Sequence, residues 1–530
     1  MKKTLLVFLF ITSCSFYCSA QLATFMEWQK SLGGRGDDEA YSIKQTSDGG
    51  YIVAGASASD SGDVTGNHGS YDYWVAKLSN SGALIWQVSL GGSSINKATS
   101  IQQTSDGGYI VAGYTGSENG EVSYYHGGYD FWVVKLTGTG TISWAKPFGS
   151  VRNDYAYAIQ QTLDGGYIVA GESGAGTGQV TKYYGGPGDM WIAKIDDDGD
   201  LIWQQSYGGT GEDAAYSIQQ TTDKGYIIAG FSNSTDSEVT GNHGSRDMWV
   251  VKADSLGNLQ WEKSYGGSGD DYAQSVQQTL DGGYIVAGYT NSTDSDITGN
   301  HGLDDYWVVK LDTSGNISWQ KTLGGSGADE AYSIQQTNDG GYIVAGGSHS
   351  LDGDITLNHG DYDYWIVKLD ATGNIQMEKS LGGSGVDNAQ SLQQTSDGGF
   401  IVTGTSNSID GDVIGNHNNT NDFWVVKLSA VIGIEEKNNP LSEFQISPNP
   451  TSQSATISFS LSQSENVSVK IYDVTGRQIT NRYLPNLNQG MHNFTWSVND
   501  NSGNSVDNGI YLVTVEIPMG SETKRVAVLK

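Results

Sequence analysis

Short apolar runs of four to seven residues, rich in Tyr, Ile, Val and Trp and bounded by Gly, Asp and Asn, recur along residues 25–429. That is the pattern of β-strands separated by tight turns. No stretch shows sustained helical spacing of apolar positions between capping residues, so the chain reads as all-β. The runs also repeat. The dipeptide that precedes the aromatic of Gly-Gly-Tyr begins at Gly49, Gly107, Gly165, Lys224, Gly282, Gly340 and Gly398, at intervals of 58 or 59 residues. One unit predicts a first strand over 331–337, a turn at Asn338-Asp339-Gly340 and a second strand over 342–346. A long polar loop leads to a third strand over 364–369, and a turn at 370–373 to a fourth from Asn374. Internal repetition at this period is the signature of a solenoid or a propeller.

The ends of the repeat decide between those two. Third strands carry Trp74, Trp132, Trp191, Trp249, Trp307, Trp365 and Trp424. Fourth strands carry Trp86, Trp144, Trp203, Trp261 and Trp319, with Met377 in the sixth unit, and the seventh unit stops at Leu428 without a fourth strand. One spare strand of that type stands at the other end, Glu27 to Leu32, with Trp28 placed 58 residues ahead of Trp86. If it completes the seventh unit, every sheet has four strands and the ring has no open edge. The expectation is a seven-bladed β-propeller closed by an N-terminal strand, over residues 25–429. This layout resembles β-propellers of the WD-repeat and related bacterial surface types, in architecture alone, since the Gly-His and Trp-Asp signatures are missing.

After Leu428 the composition changes. Residues 430–443 read as a linker, and 444–530 as a separate small β-domain with Ser and Thr alternation. Here Ser447-Pro448-Asn449-Pro450, the stretch Ile471 to Arg477 with Gly476, Asn508-Gly509-Ile510-Tyr511 and the terminal Lys524 to Lys530 occur in order. They resemble the type A sorting domain of the type IX secretion system of Bacteroidota. The resemblance implies a small β-sandwich, a partnership with that secretion machinery, and release or attachment at the cell surface. At the other end, Lys2 and Lys3, the apolar run Leu5 to Ile11 and Cys18-Ser19-Ala20 predict a signal peptide over 1–20. Both cysteines, Cys14 and Cys18, fall inside it, so the mature chain offers no thiol chemistry. No later apolar run is long enough for a transmembrane segment. A secreted or outer-surface location and a monomer are expected.

A formal charge of −31 argues against nucleic acid, whose phosphates need a basic patch. With 73 Gly and 7 Pro the chain suits many tight turns rather than a Pro-rich coil. The turn Thr46-Ser47-Asp48-Gly49-Gly50 and its copies resemble a degenerate Asp-box of sialidase propellers. The arginine cluster of sialidase chemistry is missing, since the propeller offers only Arg35, Arg152 and Arg246. Loops leading into the first strands carry Asp38, Asn96, Asp154, Asp213, Asp271, Asp329 and Asp387. Loops before the third strands end in Asp72, Asp130, Asp189, Asp247, Asp305, Asp363 and Asp422, with His68, His243, His301, His359 and His417 upstream. Residues recurring in every blade read as loop-bonding groups. Calcium is the sharper alternative, with Asp294, Asp296, Asp352 and Asp354 as ligands and no cofactor otherwise required.

Function is easier to place where the repeat breaks. Blades two and three gain Tyr124-Tyr125 and Lys182-Tyr183-Tyr184, with Arg152 nearby, a combination suited to stacking and hydrogen bonding with a glycan or an extracellular protein. The reading is a non-catalytic binding module. A propeller hydrolase or lyase acting on polysaccharide, and a purely structural surface protein, are the alternatives; no unique acid–base set stands out to support the enzyme.

Overall fold

The computed structural model describes residues 22–433, 441–461, 463–474, 476–517 and 520–530. The expected signal peptide, 1–20, and the linker residues 434–440 lie outside the described residues. The protein is all-β, and its contacts divide it between a unit over Leu22–Ile432 and one from Gly433 to Lys530.

The first unit is a propeller-like repeat of seven four-stranded antiparallel sheets. In the sixth, the strands are Asp329–Gln336, Tyr342–Ser348, Asp363–Leu369 and Ile375–Leu381. The first strand starts two residues before its predicted position because the amide of Asp329 is held by the carbonyl of Asp304, at 2.6 Å. In the seventh sheet the missing strand is supplied from the N-terminal end. Met26–Leu32 runs antiparallel to Asp422–Leu428, Ser31 opposite Trp424 and Trp28 opposite Lys427.

Hydrophobic cores lie between successive sheets rather than inside them. The core joining the last sheet to the first contains Ile401, Phe423 and Val425 with Ile43, Tyr51 and Trp74. All seven third-strand tryptophans are fully buried. The fourth-strand tryptophans do different work: each meets the second-strand Tyr of the next blade edge-on, as Trp28 meets Tyr51 at 5.7 Å and Trp86 meets Tyr109 at 5.8 Å. Where Met377 replaces Trp, the partner position holds Phe400 rather than Tyr.

The innermost strand of each blade would leave backbone donors unpaired along its free edge. Side chains of the neighbouring blade take them up. Ser42 Oγ accepts from Ile101 N (3.2 Å) and Gln102 Oε1 from Gln161 N (2.8 Å). The seventh blade treats the first in the same way: Ser391 Oγ accepts from Ile43 N (3.2 Å) and Gln393 Oε1 from Gln45 N (2.6 Å).

The second unit has two sheets. One orders Leu441–Ser447, Ala455–Leu461 and Gly490–Trp496; the other orders Gln478–Leu487, Glu465–Asp473, Gly509–Ile517 and Gly520–Val528. Alternate residues of Ala455–Leu461 are buried, and Phe459, Val469, Trp496, Val513 and Val526 share one core.

Candidate functional site

The turns joining first to second strands are structural. Asp48 Oδ1 accepts from the Thr46 hydroxyl (2.5 Å) and the Gly50 amide (2.9 Å), and the Lys77 ammonium stands 3.0 Å from Oδ2. The Thr46 bond, then the amide and the ammonium, hold this carboxyl down to about 2. The same pairing recurs in every blade, through to Lys427 with Asp397 at 3.1 Å. Each of these lysines is buried on a third strand whose other residues are also buried.

On the opposite face the recurring aspartates bond loops, in pairs that straddle the blade junctions. Asp38 Oδ2 accepts from Gly34 N and Ser59 Oγ, both at 2.8 Å. Asp422, from the preceding blade, accepts at Oδ2 from His417 N (2.9 Å) and faces His417 Nδ1 (2.8 Å). Both carboxyls are fully buried, and their Oδ1 atoms have no hydrogen-bond partner. Burial raises both, Asp422 to about 6, with the Asp38 charge adding to the rise. One junction is different. Asn96 stands in place of the first-strand Asp, and its Nδ2 donates to Asp72 Oδ1 at 3.3 Å.

The loop residues proposed as metal ligands also meet amides. Asp294 Oδ1 accepts from Ser268 N (2.7 Å) and Asp352 Oδ1 from Ser326 N (2.7 Å), while Asp296 and Asp354 reach Gly266 N (3.3 Å) and Gly324 N (3.2 Å). Among the described residues no group of three or more His, Cys, Asp or Glu is placed to hold a metal ion.

The tyrosines that break the repeat separate into two loops. Tyr124 is 89% exposed and takes a positive φ of 60°. Tyr125 donates its hydroxyl to Gly128 O, and Tyr183 donates to Gly186 O, so both rings are tied to their own loops. Lys182 lies 4.2 Å over the Tyr184 ring and 3.0 Å from Glu238 Oε1. Arg152 is exposed, and its charge is felt at the Tyr183 hydroxyl. No ring contact or hydrogen bond joins the two tyrosine pairs.

A site the sequence reading passed over lies inside the ring of first strands: a cavity of about 680 Å³. Tyr41, Tyr114, Tyr157, Tyr216 and Tyr332 reach it from five different blades, and none of the six loop residues lines it. Tyr114, Tyr157, Tyr216 and Tyr332 belong to an aromatic arc, with Tyr157 and Tyr216 at 5.0 Å, Tyr216 and Phe231 at 5.7 Å, and Phe231 and Tyr272 at 5.2 Å. Acids stand beside it. Glu39 accepts from Tyr41 Oη and Lys97 Nζ, each at 2.5 Å, and Arg246 pairs with Glu212 at 2.8 Å. Glu172 lies 3.5 Å from the Tyr157 hydroxyl and is pushed up to about 7, first by burial and then by the Glu212 charge. Its place in the second strand holds Ala56, Tyr114, Phe231, Tyr289, Gly347 and Thr405 elsewhere. Aligning the seven repeats column by column would have found this unique acid.

In the second unit, the residues of the sorting resemblance hold the fold itself. Asn449 Nδ2 donates to Arg525 O and its Oδ1 accepts from Ala527 N, both at 2.9 Å, so the segment with Pro448 and Pro450 is fastened to the last strand. Tyr511 Oη donates to Asp507 O (2.9 Å), Lys530 N donates to Asn508 Oδ1 (2.9 Å), Gly476 turns with φ 85°, and Gly509 opens a strand.

The FlgD Ig-like domain family matches residues 445–520, which fits the two-sheet tail. The regulatory protein FlaEY of Caulobacter vibrioides is 27% identical over 197 residues, 34% of this chain and 20% of that protein. Among solved structures, PorZ, a surface component of the type IX secretion system of Porphyromonas gingivalis, shares 13% identity at TM-score 0.31, over 91% of this chain and 64% of its own. Sqt1 from Chaetomium thermophilum shares 12% at TM-score 0.38, over 82% and 97%. A puromycin hydrolase shares 11% at TM-score 0.41, over 82% and 61%. The chain thus spans a fifth of FlaEY and under two thirds of PorZ. What these observations define is an all-β protein, a propeller-like ring of seven sheets with an Ig-like domain after it.

Proposed function

We propose that the ring is a closed seven-bladed β-propeller acting, without catalysis, as a binding module for a glycan or extracellular protein at the cell surface or outside the cell. The observation that carries the reading is the convergence of five tyrosines from five blades on one cavity. Aromatic faces and phenol hydroxyls are the groups that stack on and hydrogen-bond to sugars or peptide side chains. This moves the centre of the site to the axis, with Tyr124, Tyr125, Arg152, Lys182, Tyr183 and Tyr184 as an outer contact on the loops. Calcium at Asp294, Asp296, Asp352 and Asp354 is the metal part of the proposal. The tail is the sorting element for type IX secretion, on the strength of its motif order, and the signal peptide brings the chain to the periplasm.

The test is a glycan and polysaccharide array with the full chain, in calcium and then in EDTA. Loss of binding in Tyr157→Ala with Tyr216→Ala supports the axial site, and loss in Tyr124→Ala with Tyr183→Ala supports the loops. Loss in EDTA supports the calcium; unchanged binding in EDTA removes it. Absence of binding to any glycan moves the reading to a protein partner. Export is tested by deleting 444–530, which should leave the protein inside the cell.

One observation favours a second reading, a polysaccharide hydrolase or lyase. Glu172 is an acid without counterparts in the other repeats and is poised near 7, as a proton donor at neutral pH would be. Polysaccharide turnover that disappears in Glu172→Gln would establish it; turnover unchanged in that variant would remove Glu172 from the chemistry.

A further inference from the structure

The same cavity has a second level, deeper along the first strands, where one residue of each blade meets the lining: Lys44, Gln102, Gln160, Gln219, Gln277, Gln335 and Gln393. In all six glutamines Oε1 is already committed, accepting from the backbone amide of the next blade, at 2.6 to 2.8 Å. That fixes each amide's orientation and leaves its Nε2, with two N–H donors, making no hydrogen bond to the protein. The level therefore presents free amide donors, while each amide oxygen is already engaged.

Lys44 replaces the seventh glutamine. Among the described residues it supplies no acceptor to Gln103 N and forms no hydrogen bond or ion pair, and no other residue lining the cavity carries a formal charge. Its ammonium is lowered from the usual lysine range by loss of hydration, with no carboxylate close enough to offset this. Lys44 is half-buried, whereas the fully buried lysines of the ring, such as Lys77 and Lys368, each sit on a turn aspartate. Leaving a charge in such a place unpaired is costly, and an anion relieves the cost.

We propose that this level of the channel is a monoanion site, in which the Lys44 ammonium and the glutamine Nε2 amides hold the carboxylate of a small ligand whose body lies against the tyrosines. One positive charge among neutral donors matches one negative charge. A dianion such as phosphate would keep an unbalanced charge below the carboxylates of Glu39 and Glu172. The inference extends the binding reading without needing it, since a free monocarboxylate would occupy the site even if the chain bound no glycan.

The experiment is the urea-unfolding midpoint of the full chain, with calorimetric titration, in sodium acetate, sodium glucuronate, sodium chloride and neutral glucose at fixed ionic strength. Acetate and glucuronate should stabilise the protein through mass action, and chloride and glucose should not. Lys44→Gln restores the residue found in the other six blades, so it should fold, and carboxylate affinity should drop roughly tenfold or more with the charge-assisted bond gone. Lys44→Arg should keep the effect, and Lys44→Met should lose it without restoring an acceptor. Equal responses of the wild type and Lys44→Gln, equal stabilisation by chloride, or no response to either carboxylate would overturn the proposal.

Discussion

Replacing Asp38 with Asn tests what the paired aspartates at the blade junctions cost the fold. Asp38 and Asp422 are buried side by side with both Oδ1 atoms unpartnered, at the junction where the seventh blade meets the first. Asp422 has an ordinary value of 3.8 and titrates at about 6 in the folded protein, raised by burial foremost and by the Asp38 charge among other causes. A group raised in the folded state stabilises it below its unfolded value and loses that contribution as pH rises through the folded value. For Asp422 the loss falls between pH 3.8 and about 6, on the order of 3 kcal/mol. Asn96 shows the remedy, since its Nδ2 donates to Asp72 Oδ1 at 3.3 Å. In Asp38→Asn, an amide set like that of Asn96 turns Oδ1 to Ser57, as Asn96 Oδ1 takes the Thr115 hydroxyl (2.5 Å), and brings Nδ2 to Asp422 in place of the Oδ2 that accepts from Gly34 N and Ser59 Oγ. Burial remains and the two bonds to Oδ2 are given up, so the net gain at pH 8 should be no more than about 1–2 kcal/mol, the worth of one hydrogen bond to a charged group. At pH 5, where Asp422 holds its proton, the gain should nearly vanish. Urea unfolding followed by tryptophan fluorescence at both pH values measures this, and the reverse exchange Asn96→Asp should lose a similar amount at pH 8 alone. A variant no more stable than wild type at pH 8, or equally stabilised at both pH values, would refute the reasoning.

Asp339→Ala should lower the urea-unfolding free energy by about 2 kcal/mol or more, because it removes the carboxylate 3.0 Å from the buried Lys368 ammonium and leaves that charge only the neutral oxygens of Leu369 and Gln376; a loss below about 0.5 kcal/mol, the range of an ordinary surface change, would contradict that assignment. Gly82 and Gly49 both take positive φ, 78° and 80°, but a Cβ at Gly82 would lie 2.8 Å from Trp28 whereas one at Gly49 meets nothing within 4 Å. Gly49→Ala should therefore cost about 1–2 kcal/mol from backbone strain alone, and Gly82→Ala distinctly more in the same unfolding assay. Removing residues 22–32 bares the edge of Asp422–Leu428, so the truncated chain should self-associate, read as a rise in molar mass by light scattering during size-exclusion chromatography.

Much of the ring was legible in the sequence because each unit repeats the same apolar alternation and turn chemistry. Local pattern fixes strands, and counting strands against ends predicted that Glu27 to Leu32 would complete the seventh sheet, as its pairing with Asp422–Leu428 bears out. The recurring aspartates could be read as loop-bonding groups for the same reason: a residue present in every blade answers a need present in every blade. The first strand begins two residues earlier than the pattern indicates, because the bond from Asp329 N to Asp304 O joins segments that periodicity cannot relate. The cavity was not legible either. Tyr41 and Tyr332 are 291 positions apart, and only the closing of the ring brings them to one space. Likewise Lys44 is one lysine among many in the sequence. Its meaning comes from standing in a circle of six glutamines whose carbonyls are used up by neighbouring blades, a relation set by packing around an axis and not by any stretch of chain.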